Sequence, residues 1–181
     1  MDPTTVATIF SICLLGGLVG GFTLFVLPRT RQRFIAHVPK VAALVAVSAT
    51  AGSLYFSEIA DFIPCELCWY QRIAMYPLAM ILPLALVRRD RDVMNEAFVL
   101  AAAGLLASAY HMRVQWFPDS SNSCALDDGC SAKWVEGLGV FTIPQMAATA
   151  FFLIIMLSVA FTFEEESGDT LAHADSAAVR G

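Results

Sequence analysis

Pro64-Cys65-Glu66-Leu67-Cys68-Trp69-Tyr70-Gln71-Arg72 precedes an apolar run that is too short to cross a membrane without it. From Ile73 to Val87 the chain is apolar, but a span needs about 20 such residues. A helix that starts near Cys65 reaches that length. At 1.5 Å per residue it carries Arg72 roughly 10 Å below its start. The stretch then reads as the mouth of a membrane helix, with two cysteines at C-x-x-C spacing and an arginine one turn past the second. Such a pair can cycle between dithiol and disulfide, or hold a metal. An arginine inside an apolar span is expensive and marks a functional position.

The composition extends this reading to the whole chain. It is 57% hydrophobic and only 15% charged, with a mean hydropathy of +0.65. Five segments qualify as spans: 5–27, 41–60, 66–87, 97–117 and 142–163. The first is not read as a signal peptide, because the run Val6–Leu27 exceeds an h-region of about 7–15 residues. No Lys or Arg precedes it, and Pro28-Arg29-Thr30-Arg31 follows it instead of a small-residue cleavage site. It reads as a retained span. The formal net charge of −5 lies largely in Glu164-Glu165-Glu166 and Asp127-Asp128. No basic stripe with interleaved aromatics points to nucleic acid.

The loops set the expected orientation. Segment 28–40 carries Arg29, Arg31, Arg33 and Lys40, and segment 88–96 carries Arg88, Arg89 and Arg91. Positive-inside bias puts both in the cytoplasm, with the N-terminus outside, the C-terminus inside, and loops 61–65 and 118–141 facing outward. Pro118 ends the fourth span, and Pro144 fits the first turn of the fifth, where a missing N–H costs little. Pro77 and Pro83 predict kinks in the third span. Gly16-Gly17 and Gly20-Gly21 allow close packing of the first. Residues 164–181 are small, polar and acidic, and their composition predicts disorder.

Of the five cysteines, Cys13 falls in the middle of the first span and reads as a small buried hydrophobe. The other four all fall outside, as Cys65 with Cys68 and Cys124 with Cys130. Disulfides persist in that oxidising compartment. A static bridge suits Cys124–Cys130, but a C-x-x-C bridge closes too small a loop to staple anything. A four-thiolate zinc site is the other chemistry open to these residues, although the Cys124-x5-Cys130 spacing is loose for it. Cys68 and Arg72 are four apart and share a helix face. The guanidinium stays charged and can stabilise a thiolate or another developing anion. Electrons from such a thiolate need an acceptor. No haem, flavin, nucleotide or iron–sulfur motif is present, whereas a bilayer quinone needs no motif.

At these residues the chain resembles the disulfide bond formation protein B (DsbB) family, in particular its BdbC-like branch. The matching elements are the Pro64–Arg72 stretch with Met75-Tyr76-Pro77, Tyr110-His111 with Gln115, the Cys124/Cys130 pair, and Phe141-Thr142-Ile143-Pro144. The resemblance spans about residues 41–163. It implies an all-α integral membrane protein, a four-helix transmembrane bundle to which this chain adds one N-terminal transmembrane helix. It implies a thiol:quinone oxidoreductase at the cell membrane that reoxidises an extracytoplasmic thioredoxin-fold thiol oxidase of the DsbA/BdbD kind. Electrons pass through the two cysteine pairs to a ubiquinone- or menaquinone-type quinone. By the same resemblance Cys124 forms the mixed disulfide with the partner, Cys130 exchanges with Cys65, and Cys68 faces the quinone. Arg72 stabilises the charged thiolate–quinone state, and His111 matches a family histidine near the quinone. The vitamin K epoxide reductase family also joins disulfides to quinones, but there the loop pair precedes the C-x-x-C.

The expected organisation is an N-terminal helix and basic loop over 1–40, the DsbB-like membrane domain over 41–163, and an acidic cytoplasmic tail over 164–181. The loop between Cys124 and Cys130 is short for the family. Trp134, Val135, Leu138, Val140 and Phe141 are expected to form an interfacial segment that holds it on the membrane surface. The competing class is a structural or zinc-binding membrane protein, with the four outward cysteines as ligands or static bridges.

Overall fold

The computed structural model describes residues 2–26, 35–90, 92–117, 130 and 141–180. Five helices in it are long and apolar enough to cross a membrane: Pro3–Thr23, Ile35–Ile59, Glu66–Arg88, Val93–Trp116 and Ile143–Phe163. We label the α-helices α1 (Pro3–Val26), α2 (Val38–Leu54), α3 (Glu66–Arg88), α4 (Val93–Trp116) and α5 (Ile143–Arg180). Helices α2 to α5 form a closed ring in which sequence neighbours pack on one another and α2 returns to α5, while α1 lies outside the ring along α5.

Lipid offers no hydrophobic drive between helices, so close packing at small residues has to hold the ring together. The seams carry such residues: Ala42, Ala43 and Ala46 on α2, Ala97 and Ala101 on α4, and Ala150 on α5 are all buried. Gly104 of α4 is the tightest point. A Cβ built there would overlap the ring of Phe151, which is itself fully buried. On the outer surface of α3, Ile73, Met80 and Val87 are exposed at seven-residue spacing, as expected of a stripe that meets lipid tails. Trp69, Tyr70, Trp116 and Phe117 are exposed at the cysteine end, where a membrane interface recruits aromatic rings.

Helix boundaries follow local chemistry. The second span starts at Ile35 rather than 41, first as a 3₁₀ turn over Ile35–His37 and then as α2. Pro39 stands in the first turn of α2, where its missing N–H breaks no hydrogen bond. Helix can therefore begin before Lys40, and the basic loop is shorter than expected. Pro77 and Pro83 lie within α3 without ending it. Helix α5 opens on one half of a capping box over Thr142-Ile143-Pro144-Gln145: the Thr142 N–H donates to Gln145 Oε1 at 2.8 Å, while Thr142 Oγ1 turns instead to Gln115 Oε1 on α4, donating at 3.1 Å. The backbone of α5 stays helical through 164–180, where the composition predicts a disordered tail. That stretch has no proline and is rich in alanine and glutamate, which favour continuing a helix already nucleated by the span.

One irregularity matters for the site. Past Leu54 the helix widens into a π turn over Tyr55–Ile59, and the Ala60 N–H bonds Tyr55 O at 3.0 Å. Such widened turns gather at functional positions. This one begins two residues after Ser53, the residue that grips Arg72.

Candidate functional site

Cys65 is the N-cap of α3, with φ −73° and ψ 170°, and its carbonyl accepts the Trp69 N–H at 3.2 Å. That geometry turns Cys68 back into the first turn, where unpaired N–H groups gather positive potential. The two sulfurs lie 3.1 Å apart. Cys130 joins them: it is 1% exposed, Cys65 is 4% exposed, and both pack with Leu67 and Val114. A side-chain hydrogen bond links Cys130 to Cys65. The hydrogen bond to Cys68, followed by burial, pushes the Cys65 thiol up to about 12, so it keeps its proton at neutral pH. In the dithiol protein, alkylation of Cys65 by a small uncharged reagent should stay slow up to about pH 10 and rise only beyond it. A rise centred near the ordinary thiol value, about 8.5, would contradict this.

His111 on α4 ties the cysteines to the bundle. Gln71 Nε2 lies 3.0 Å from His111 Nδ1, and the Cys130 carbonyl lies 3.2 Å from Nε2. A carbonyl can only accept, so Nε2 carries the hydrogen and Nδ1 accepts from the Gln71 amide. The same Nε2 stands 3.7 Å from Cys65 Sγ. The imidazole, 2% exposed, therefore sits between a thiol and the backbone of the loop cysteine. Cys65, Cys68 and His111 also bring three donor atoms within 4.8 Å of one another, a spacing that suits a metal ion.

Arg72 is 8% exposed. Its Nε donates to Ser53 Oγ and its Nη2 to the Ser53 carbonyl, both at 3.0 Å. Its guanidinium carbon lies 5.2 Å from the centroid of the Trp69 ring, a cation–π contact worth roughly 0.5–2 kcal/mol. The charge is thus held within the bundle instead of snorkelling outward. Cys65, Cys68, Gln71, Arg72 and His111 all border one cavity, closed elsewhere by apolar groups such as Phe56, Met75, Met146 and Phe151. A few convergent polar groups in an otherwise apolar cavity are what a lipid-soluble ring compound needs.

The family model of Disulfide bond formation protein DsbB matches residues 36–161. This chain belongs to the DsbB family. Disulfide bond formation protein C of Bacillus subtilis (strain 168) is 45% identical over 115 residues, covering 62% of this chain and 83% of that protein. The "Probable disulfide formation protein" of Oceanobacillus iheyensis is 38% identical over 123 residues, covering 66% and 85%. That of Deinococcus radiodurans is 42% identical over 127 residues, covering 65% and 83%. No solved structure matches. The chain is a disulfide-forming, multi-pass membrane protein of the BdbC-like branch, with a thiol oxidoreductase role. The DsbB match begins at residue 36, so α1 lies outside it.

The structure brings together Cys65, Cys68, Arg72, His111 and Cys130. Cys124 and segment 131–140 lie outside the described residues. Cys13 is exposed on α1, on a face that would meet lipid, and is not the buried hydrophobe expected. Gly17 and Gly21 approach Leu153 of α5, while Gly16 and Gly20 face open space. Sequence reasoning quoted Gln71 in the DsbB-like stretch without giving it a role. A buried amide one turn past Cys68, in the same first turns of a membrane helix, was the available signal. Ser53 was missed: it is a small polar residue in an apolar run, and nothing in its neighbours announces that it faces Arg72.

Proposed function

We propose that this protein is a thiol:quinone oxidoreductase that reoxidises an extracytoplasmic thioredoxin-fold thiol oxidase and passes the electrons to a membrane quinone. One observation carries the reading. The touching sulfurs of Cys65 and Cys68 border an intramembrane cavity that also holds the buried cation Arg72. The quinone supplies a lipid-soluble acceptor for the two electrons and two protons that a dithiol releases. Arg72, Cys68 and His111 are the residues that would hold it: a fixed cation, a sulfur in the first helical turn and an imidazole on one cavity wall.

The remaining steps belong to the chain. The partner's thiolate attacks Cys124 of the Cys124–Cys130 disulfide, breaking that bond, releasing Cys130 as a thiolate and forming the mixed disulfide. The partner's second thiol releases it, leaving Cys124 and Cys130 reduced. Cys130, seated against Cys65, then exchanges with the Cys65–Cys68 disulfide and restores the loop pair. His111 and Gln71 hold Cys130 and Cys65 in register for that exchange. The redox loops face outside and the C-terminus faces the cytoplasm. Arg88 and Arg89, at the end of α3 remote from the cysteines, fit that orientation. Residues 41–163 act as the redox domain, with 1–40 and 164–181 as additions.

Purified protein given the reduced partner and a quinone should yield one quinol per disulfide formed. A partner lacking its second cysteine, given to the protein with its Cys124–Cys130 disulfide formed, should accumulate a mixed disulfide through Cys124. Absence of that adduct, or full turnover by Cys124→Ser, would overturn the scheme. A second reading, a metal site, is favoured by the three clustered donors Cys65, Cys68 and His111. Elemental analysis separates the two: stoichiometric zinc without quinol formation supports the metal reading.

A further inference from the structure

We propose that α1, the helix outside the family match, forms a wall of the redox cavity and that Phe10 on it contacts the quinone ring. The inference rests on the functional reading above and deepens it by naming a further specificity-determining residue. Phe10 borders the same cavity as Cys68, Arg72 and His111. It packs against Gly52 of α2: a Cβ built at Gly52 would lie 3.5 Å from Phe10 Cε2 and 3.6 Å from Cζ, ordinary contact distance. Gly52 immediately precedes Ser53, whose hydroxyl and carbonyl hold Arg72. The aromatic ring and the guanidinium are therefore mounted on adjacent residues of one helix turn.

The depths agree. At 1.5 Å per residue, Phe10 lies about 10 Å below the start of α1 at Pro3, and Arg72 about 9 Å below the start of α3 at Glu66. Helix α1 is fixed at this height along its length. Ala7, Ser11 and Leu14 are buried on one face, and a Cβ built at Gly17 or Gly21 would lie 3.2 or 3.4 Å from the Leu153 side chain. Its opposite face, with Ile9, Ile12, Val19 and Phe22, is exposed and apolar. The helix thus lies along α5 and brings Phe10 to the cavity beside Gly52 of α2. An entering ring would share that cavity with Phe10, Cys68 and Arg72.

The first test uses the wild-type protein and a ring-azido benzoquinone with a ten-carbon tail. After photolysis, peptide mapping should place saturable adducts on α1 around Phe10 as well as on α3. Adducts on α3 with none on α1 would overturn this proposal alone. No saturable adduct anywhere would overturn the functional reading with it.

The second test is binding of the unlabelled ten-carbon benzoquinone, read by quenching of tryptophan fluorescence. Phe10→Ala should weaken it about tenfold, or 1.4 kcal/mol, the scale of one lost aromatic contact. Phe10→Leu should weaken it less. The KM for the reduced partner and the pH profile of Cys65 alkylation should not move, because Phe10 touches neither. Equal binding by wild type and Phe10→Ala would overturn the proposal.

Discussion

Cys68→Ser is expected to lower quinol formation by at least about 10³-fold, because in the proposed relay it removes the sulfur that completes the inner disulfide and hands the electrons to the quinone. A serine hydroxyl fits the space but cannot take part in thiol–disulfide exchange. The mixed disulfide between Cys124 and the partner should still form, so trapping and turnover separate. Cys13→Ser, on the exposed face of α1, should change turnover by less than about twofold. Arg72→Met isolates the charge from the thiol chemistry. It should cost about 10²-fold in turnover, the scale of losing one preorganised electrostatic contact, with the KM for the partner unchanged. Arg72→Lys should not restore the rate fully, since an ammonium cannot reproduce the two-point grip on Ser53. Turnover by Cys68→Ser within tenfold of wild type would sink the proposed route.

Gly104→Val should prevent stable assembly of the bundle. The Cβ of any residue at 104 overlaps the Phe151 ring, and that ring is fully buried. Overpacking of this kind costs about 1–3 kcal/mol and sometimes more, and a branched side chain belongs at the upper end. Expected outcomes are loss of the monodisperse detergent-solubilised species and a lower thermal midpoint. Gly20→Val, facing open space on α1, is the matched control and should be silent. Phe151→Leu should recover part of the stability of Gly104→Ala, because the two residues are in contact and their effects do not add. If Gly104→Val proved as stable as wild type, the α4–α5 crossing described above would be wrong.

What could be read from the chain alone divides along a physical line. Span number follows from hydropathy, and the extension of α3 back to the cysteines follows from a length deficit that only Glu66 to Arg72 can fill. The shared face of Cys68 and Arg72 follows from helical period. These are local properties of consecutive residues. Ser53 gripping Arg72, Phe10 resting over Gly52, and His111 bridging Gln71 to the Cys130 carbonyl are contacts between helices. Each depends on rotation and depth of a partner element, which composition does not encode. The start of the second span moved from 41 to Ile35 for a similar reason. Hydropathy penalises Lys40, whereas the backbone cares that Pro39 falls in a first turn. Apolar run and helix coincide only where no polar residue sits in the opening turn.

The burial of Cys65 and Cys130 also insulates the circuit. Exchange requires a thiolate to approach in line with the bond it breaks, and Cys65 and Cys130, residues 4% and 1% exposed, leave small soluble thiols little such approach. In the proposed relay this shields the inner pair from bulk reductants, so that oxidising power drawn from the quinone goes to the partner and is not drained by whatever thiol diffuses past.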